Sequence, residues 1–168
     1  MRKTNVHTIL LRACLLLAAC APAGCDMEGF NYDGNRAAPG VITSNKEWTV
    51  VAHGGSFKDI RSSIDNNQAT AAVSGRNYMN AAVTLDLGQM SYFNCIAILH
   101  GNNEDGYARQ VALSTSHDGK TYKHQKTVYG TRKVTYILLV QPIRARYIRL
   151  TAIRQNVQPW SISEIFIQ

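Results

Sequence analysis

From residue 48 onward the chain alternates short apolar-rich runs with turn signals, at a spacing too tight for helices. Residues 48–52 form the first β-type run. In residues 82–87, Val83, Leu85 and Leu87 fall on one face and polar residues on the other, the period-2 pattern of a half-buried strand. Residues 95–99 are apolar on both faces, as a central strand is. Residues 111–116 alternate again and end at Asp118-Gly119, a strong turn signal. Runs at 122–129, 134–140, 147–153 and 162–167 complete about eight strands. The single helical candidate is brief, around residues 57–64. The pattern predicts one all-β domain over residues 46–168, a sandwich or barrel.

The N-terminal part follows another rule. Arg2, Lys3 and Arg12 precede an apolar stretch, residues 13–23, too short to span a bilayer. Residues 1–24 are therefore expected to be an export signal. Leu17-Ala18-Ala19-Cys20 and Ala21-Pro22-Ala23-Gly24-Cys25 each resemble a bacterial lipobox, where the cysteine is acylated and becomes the new N-terminus. Cys20 has the better consensus; Cys25 leaves a longer apolar region and is followed by the acidic Asp26 and Glu28. Either is expected to anchor the protein by lipid to the bacterial outer membrane or cell surface; the alternative is an ordinary secretory signal. Residues 25–45, rich in Gly, Asn, Asp and Pro, read as a flexible tether.

This changes the charge and cysteine arithmetic. The chain has 168 residues, 18 Lys+Arg against 11 Asp+Glu, and a formal charge of +7, which at first suggests a nucleic-acid partner. Removing the three basic residues of the signal leaves 15 against 11, or +4. No nucleic-acid partner is expected, since Arg144, Arg146, Arg149 and Arg154 do not form one patch on a strand reading: Arg146 and Arg149 fall on opposite faces. Of the four cysteines only Cys95 remains after Cys25, so an intrachain disulfide is excluded. Its apolar neighbours make Cys95 a small buried hydrophobe. Phosphate loops, a G-x-S-x-G elbow, paired metal-binding histidines and Cys-x-x-Cys are all missing from the sequence. The acids are scattered, and no catalytic pair follows from their spacing. Binding without catalysis is the expectation.

Six segments in order resemble the factor V/VIII type C, or discoidin, domain family, which includes the family 32 carbohydrate-binding modules. They are Trp48-Thr49-Val50-Val51-Ala52, Ser63-Ile64-Asp65-Asn66-Asn67-Gln68-Ala69-Thr70, Val83-Thr84-Leu85-Asp86-Leu87-Gly88, Leu113-Ser114-Thr115-Ser116-His117-Asp118-Gly119-Lys120-Thr121-Tyr122, Ala145-Arg146-Tyr147-Ile148-Arg149-Leu150 and Ser161-Ile162-Ser163-Glu164-Ile165. The resemblance implies a jelly-roll-like, galactose-binding-domain-like β-sandwich with ligand loops at one end. The second segment departs from A-x-D-G-D-x-x-T-x-W: Asn66 stands for Gly, Asn67 for the second Asp and Ala72 for Trp. Asn tolerates positive φ better than most residues, and Tyr78 is a nearby candidate to replace the lost ring.

The resemblance also implies a structural calcium held by Asp65, Asn67, Thr70 and Glu164. Calcium takes six to eight oxygen ligands, and Asn at 67 lowers the ligand charge. The alternative is a calcium-free loop, with Asp65 capping local N–H groups and Glu164 paired with an arginine. For ligand binding the resemblance points to loop 100–109, carrying His100, Asn102, Asn103, Tyr107 and Arg109. Trp160 in segment 154–160 is the candidate stacking platform, and His53 at the end of the first strand reaches the same end. Each has a structural alternative: Trp160 beneath the sandwich, Arg109 in an ion pair, Asn102 and Asn103 in a turn. The implied function is glycan binding, with membrane contact through the lipid anchor only. The alternative is an adhesion module that binds an envelope protein or a phospholipid surface; such modules carry hydrophobic loop tips, and the polar 100–109 loop favours sugar.

Overall fold

The computed structural model describes residues 47–168. The signal, Cys20, Cys25 and all but the end of the chain before the first strand lie outside the described residues. Eight strands follow: β1 (Thr49–His53), β2 (Ala72–Val73), β3 (Ala82–Leu99), β4 (Gln110–Ser116), β5 (Lys123–Tyr129), β6 (Val134–Arg154), β7 (Ser161–Ile162) and β8 (Glu164–Ile167). The expected helical segment is only a 3-10 turn, Ile60–Ser63.

The total matches the sequence pattern, but the partition differs. The separate runs 82–87 and 95–99 are one 18-residue strand, β3, and the runs 134–140 and 147–153 are one 21-residue strand, β6. These two pair along their whole lengths, with register shifts between Asp86 and Ser91 and between Phe93 and Cys95. Gly88, at φ +75, sits in the first shift. There it bends a continuing strand rather than ending one. The last expected run divides at Ser163 into β7 and β8, and β2 had no signal longer than two residues.

Bending one ladder makes the two layers. Residues 82–86 of β3 lie between β1 and residues 147–151 of β6, with β4 and β5 beyond. Residues 95–99 lie between β8 and residues 134–138 of β6. The first layer sends Val83, Leu85, Leu113, Ile148 and Leu150 into the core, and the second sends Ile96, Ile98, Ile137, Ile165 and Ile167; all ten are fully buried. Cys95 is buried too and forms no disulfide.

The bend overturns one parity argument. Ala145 and Ile148 are both buried, although three residues apart. The shift puts Arg146 and Arg149 on the same, outer face, where they meet Asp86 and Thr84. Arg146 grips Asp86 with two bonds, 2.7 and 2.8 Å, and holds its carboxyl below the usual carboxylate range. The Arg149 guanidinium lies 3.6 Å from the Tyr122 ring centroid. These arginines are committed to intramolecular partners and do not form an open basic patch.

Candidate functional site

Strand polarity brings the ends of β1, β5 and β6, the starts of β3 and β4, and the loops 100–109 and 154–160 to one end of the sandwich. A residue not singled out for this role organises that end. Tyr78 is fully buried, and its phenol donates to the Tyr107 carbonyl (3.3 Å) and accepts from Asn156 N–H (2.6 Å). Gln155 Oε1 accepts from the N–H groups of Tyr78 and Met79, both at 3.1 Å. Asn156 links onward: its Nδ2 donates to the Asp105 carbonyl (3.2 Å), and its Oδ1 accepts from Arg109 Nε (3.4 Å). Three loops are thus tied through one phenol and two amides. Gln155 and Asn156 looked like generic loop polars in sequence, and only their partners reveal the role.

The tie leaves Arg109 exposed and Tyr107 half-buried on one surface, beside Asn156. Met79, whose N–H is held by Gln155, and Val157, whose N–H is held by Asn156, are 62% and 81% exposed. The loop end is therefore not uniformly polar. His53 is exposed at the end of β1, opposite Ala82, and no described contact joins it to Arg109. Asn102 and Asn103 are exposed in a turn. Asn103's carbonyl accepts from Gly106 N–H, while Asn102 lines a separate hollow of about 400 Å³ with Gln68, Gly101, Glu104 and Lys133.

Two expected ligands are corrected. Trp160 is fully buried, its ring 5.8 Å from Phe57 and 6.2 Å from Tyr78. A ring with no exposed face cannot stack on a sugar. His100 is 1% exposed, with both ring nitrogens engaged: Nδ1 with the Ser161 carbonyl (2.7 Å) and Nε2 with Thr135 Oγ1 (2.9 Å). A carbonyl only accepts, so Nδ1 carries the proton and Nε2 accepts from Thr135. This neutral imidazole pins the start of loop 100–109 to β7 and β6.

Burial pushes the His100 pKa below its usual value, partly offset by the Ser161 bond. The folded state thus holds its proton less tightly than the unfolded state, where the pKa is about 6.5. The contribution of His100 to stability is complete above pH 6.5 and is lost as pH falls through 6.5 toward the lower folded value. Melting temperature should drop between pH 7.5 and 5, and His100→Gln should flatten that slope. An unchanged slope in the variant would assign the pH dependence to other groups.

The second cluster lies in loop 65–70. Asp65 Oδ1 accepts from Asn67 N–H (2.9 Å) and Oδ2 from Thr70 Oγ1 (2.7 Å). Asn67 Oδ1 accepts from Ala69 N–H (3.1 Å), and its carbonyl from Thr70 N–H (3.1 Å). Asn66 adopts φ 60, so it does take the conformation of the expected glycine. Glu164, from the start of β8, is fully buried against this loop, and neither carboxylate oxygen has a hydrogen-bond partner of good geometry. Burial pushes its pKa up to about 8, and the Asp65 charge adds to the shift. The N–H groups of Asn66, Ile165 and Asn67 pull it back only in part. The calcium-free alternative holds for Asp65, which does cap local N–H groups, but Glu164 has no arginine partner among the described residues. The residues fit a hard cation: an orphaned buried carboxylate faces a loop that carries a second carboxylate, an amide oxygen and a hydroxyl. No group of three or more His, Cys, Asp or Glu gathers among the described residues, so the charged ligands would number two.

Comparison with known proteins places this geometry. Residues 41–165 match the model of the F5/8 type C domain. Solved structures of similar fold include CpGH89CBM32-5 from Clostridium perfringens, in complex with GalNAc-β-1,3-galactose, at 17% identity and TM-score 0.63 over 72% of this chain and 94% of that one. The family 32 module of C. perfringens NanJ, in complex with galactose, aligns at 23% identity and TM-score 0.60, over 72% and 93%. The C-terminal domain of a chitobiase from Bacteroides fragilis aligns at 18% identity and TM-score 0.63, over 74% and 95%. Comparison with curated protein sequences finds no significant match. With the family model covering three quarters of its length and the β-sandwich shared with these domains, the chain belongs to the F5/8 type C domain family.

Proposed function

We propose that the protein is a noncatalytic glycan-binding module, lipid-anchored through Cys20 or Cys25 at a bacterial outer membrane or cell surface. The observation that carries the reading is the tied loop end, where Tyr78, Gln155 and Asn156 hold Arg109 and Tyr107 on one surface. A guanidinium offers a planar fork of donors to vicinal hydroxyls, and Tyr107 is the half-buried aromatic residue in the same loop. Asn156 adds a polar rim, and the exposed His53, Asn102 and Asn103 are the further candidates at this end. Two of the similar domains were solved with galactose-containing ligands, which supports galactose-type sugars as the first class to test. With Arg109 exposed, a bound sugar keeps hydroxyls partly solvated, so a single sugar should bind weakly.

We also propose that Asp65, Asn67, Thr70 and Glu164 hold a structural calcium. The ion supplies charge to an otherwise unpaired buried carboxylate and fixes loop 65–70 against β8.

A glycan array on the protein tests the first proposal. Galactose-type binding is expected, and Arg109→Ala should weaken it about tenfold or more, as loss of charged hydrogen bonds does. Normal binding by Arg109→Ala would move the site to other loops. One observation favours a second reading: the tied loops also carry two exposed apolar residues, Met79 and Val157. A silent array, with binding to an envelope protein or to lipid vesicles that Met79→Asp abolishes, would establish the adhesion module instead. Palmitate labelling in the native host tests the anchor. Label that is lost with Cys20→Ala or with Cys25→Ala identifies the acylated residue, and unlabelled protein refutes the anchor.

A further inference from the structure

At the opposite end of β4 the sandwich has a hollow of about 480 Å³, within the range of small-ligand sites. Arg109 immediately precedes β4 and His117 immediately follows it, so the hollow lies roughly 25 Å from the loop end at strand rise. Thr121, Lys123, Gln125 and His117 line one side and Ile143 and Arg144 the other. His117 Nε2 donates to the Arg144 carbonyl (3.0 Å), which fixes the two walls together.

The charges of this hollow are mixed with cations in excess, Lys123 and Arg144 against one carboxylate. Asp118 also lines it, but its Oδ1 accepts from Lys120 N–H (2.9 Å), Thr121 N–H (3.0 Å) and Ser116 Oγ (2.8 Å). Those bonds lower its pKa to about 2, so it remains ionised and turned into its own turn. Lys123 and Arg144 have no acidic partner among the described residues, and both are exposed. Beside Arg144, Tyr92 is 66% exposed, its ring centroid 5.7 Å from the guanidinium carbon. The hollow thus combines two cations without an acidic partner and hydroxyl and amide side chains, with the Arg144 guanidinium lying over the Tyr92 ring beside it.

We infer that this hollow is a second saccharide site, which takes a sugar carrying an anionic group, carboxylate or sulfate. Lys123 and Arg144 meet the anion, and Thr121 and Gln125 meet hydroxyls. A compact phosphate is disfavoured, because the turn N–H groups that would form an anion nest are consumed by Asp118.

Calorimetry with trigalacturonate, with galactose 6-sulfate and with galactose tests the assignment. In the Arg109→Ala variant, where galactose binding at the loop end is weakened, at least one acidic sugar should still bind, and more tightly than galactose, and that binding should weaken from 50 to 500 mM salt. Lys123→Ala and Arg144→Ala should each weaken it about threefold, as exposed charge pairs do, and together about tenfold. Arg109→Ala should leave it unchanged, which separates this site from the loop end. Failure of both acidic sugars to bind, or undiminished binding by the double variant, would overturn the inference. So would capture of phosphatidylglycerol vesicles through Lys123 and Arg144 without sugar binding.

Discussion

Trp160→Ala should cost about 3–5 kcal/mol of folding stability, the range for deleting a large buried aromatic ring. The indole fills the space between Phe57 and Tyr78 and is fully buried. Its backbone is held as well, since Trp160 N–H donates to Ser74 Oγ (2.8 Å) and its carbonyl accepts from Ser74 N–H (2.9 Å). Removing the ring opens a cavity directly beneath the Tyr78 phenol, so the loop tie slackens along with the core. Denaturant unfolding should show the loss. Any fall in glycan binding should follow the unfolded fraction rather than precede it. Trp160→Phe should retain most of both properties, because it keeps an aromatic plane at lower volume. Full stability in Trp160→Ala, with binding lost, would restore the stacking role that the buried ring argues against.

What was legible in the sequence was what is local. Val83, Leu85 and Leu87 alternate because a strand buries every second residue, and all three are buried. Loop 65–70 was legible because its bonds join residues two to five apart. Glu164 came only from the family resemblance, and it does lie against that loop. The misses are non-local. Gly88 reads as a strand end, and only the partner strand shows that the ladder continues past it. Arg146 and Arg149 were assigned to opposite faces, because a register shift is invisible to a count of residues. Trp160 and His100 sit in segments of loop-like composition. Their burial is decided by Phe57, Tyr78, Thr135 and Ser161, residues brought in from distant parts of the chain. The loops expected to carry the site do gather at one end of the sandwich, but what ties them, Tyr78, is a core residue whose one polar atom does the tying.

Calcium should raise the melting temperature of the protein, and Glu164→Gln should abolish that rise. At a free concentration one hundred times its Kd, a ligand specific for the folded state stabilises by about 2.7 kcal/mol. Glu164 is the ligand whose loss removes a whole charge from a set with only two carboxylates. The same substitution should act in the opposite sense without metal. The folded pKa, near 8, lies above the ordinary carboxylate value of 4.5. The stability contribution of the protonated group is therefore full below about 4.5 and is lost as pH rises through 8. At pH 9 in chelator the wild type must hold an unpaired buried carboxylate, whereas glutamine keeps the shape and no charge. The variant should then melt higher than the wild type in chelator and lower than it in calcium. Removing a carboxyl that merely packs would shift both melts together, and calcium that leaves the wild-type melt unmoved would refute the metal site. The inversion distinguishes a carboxylate kept for a cation from one kept for packing, because only the former is destabilising until its partner arrives.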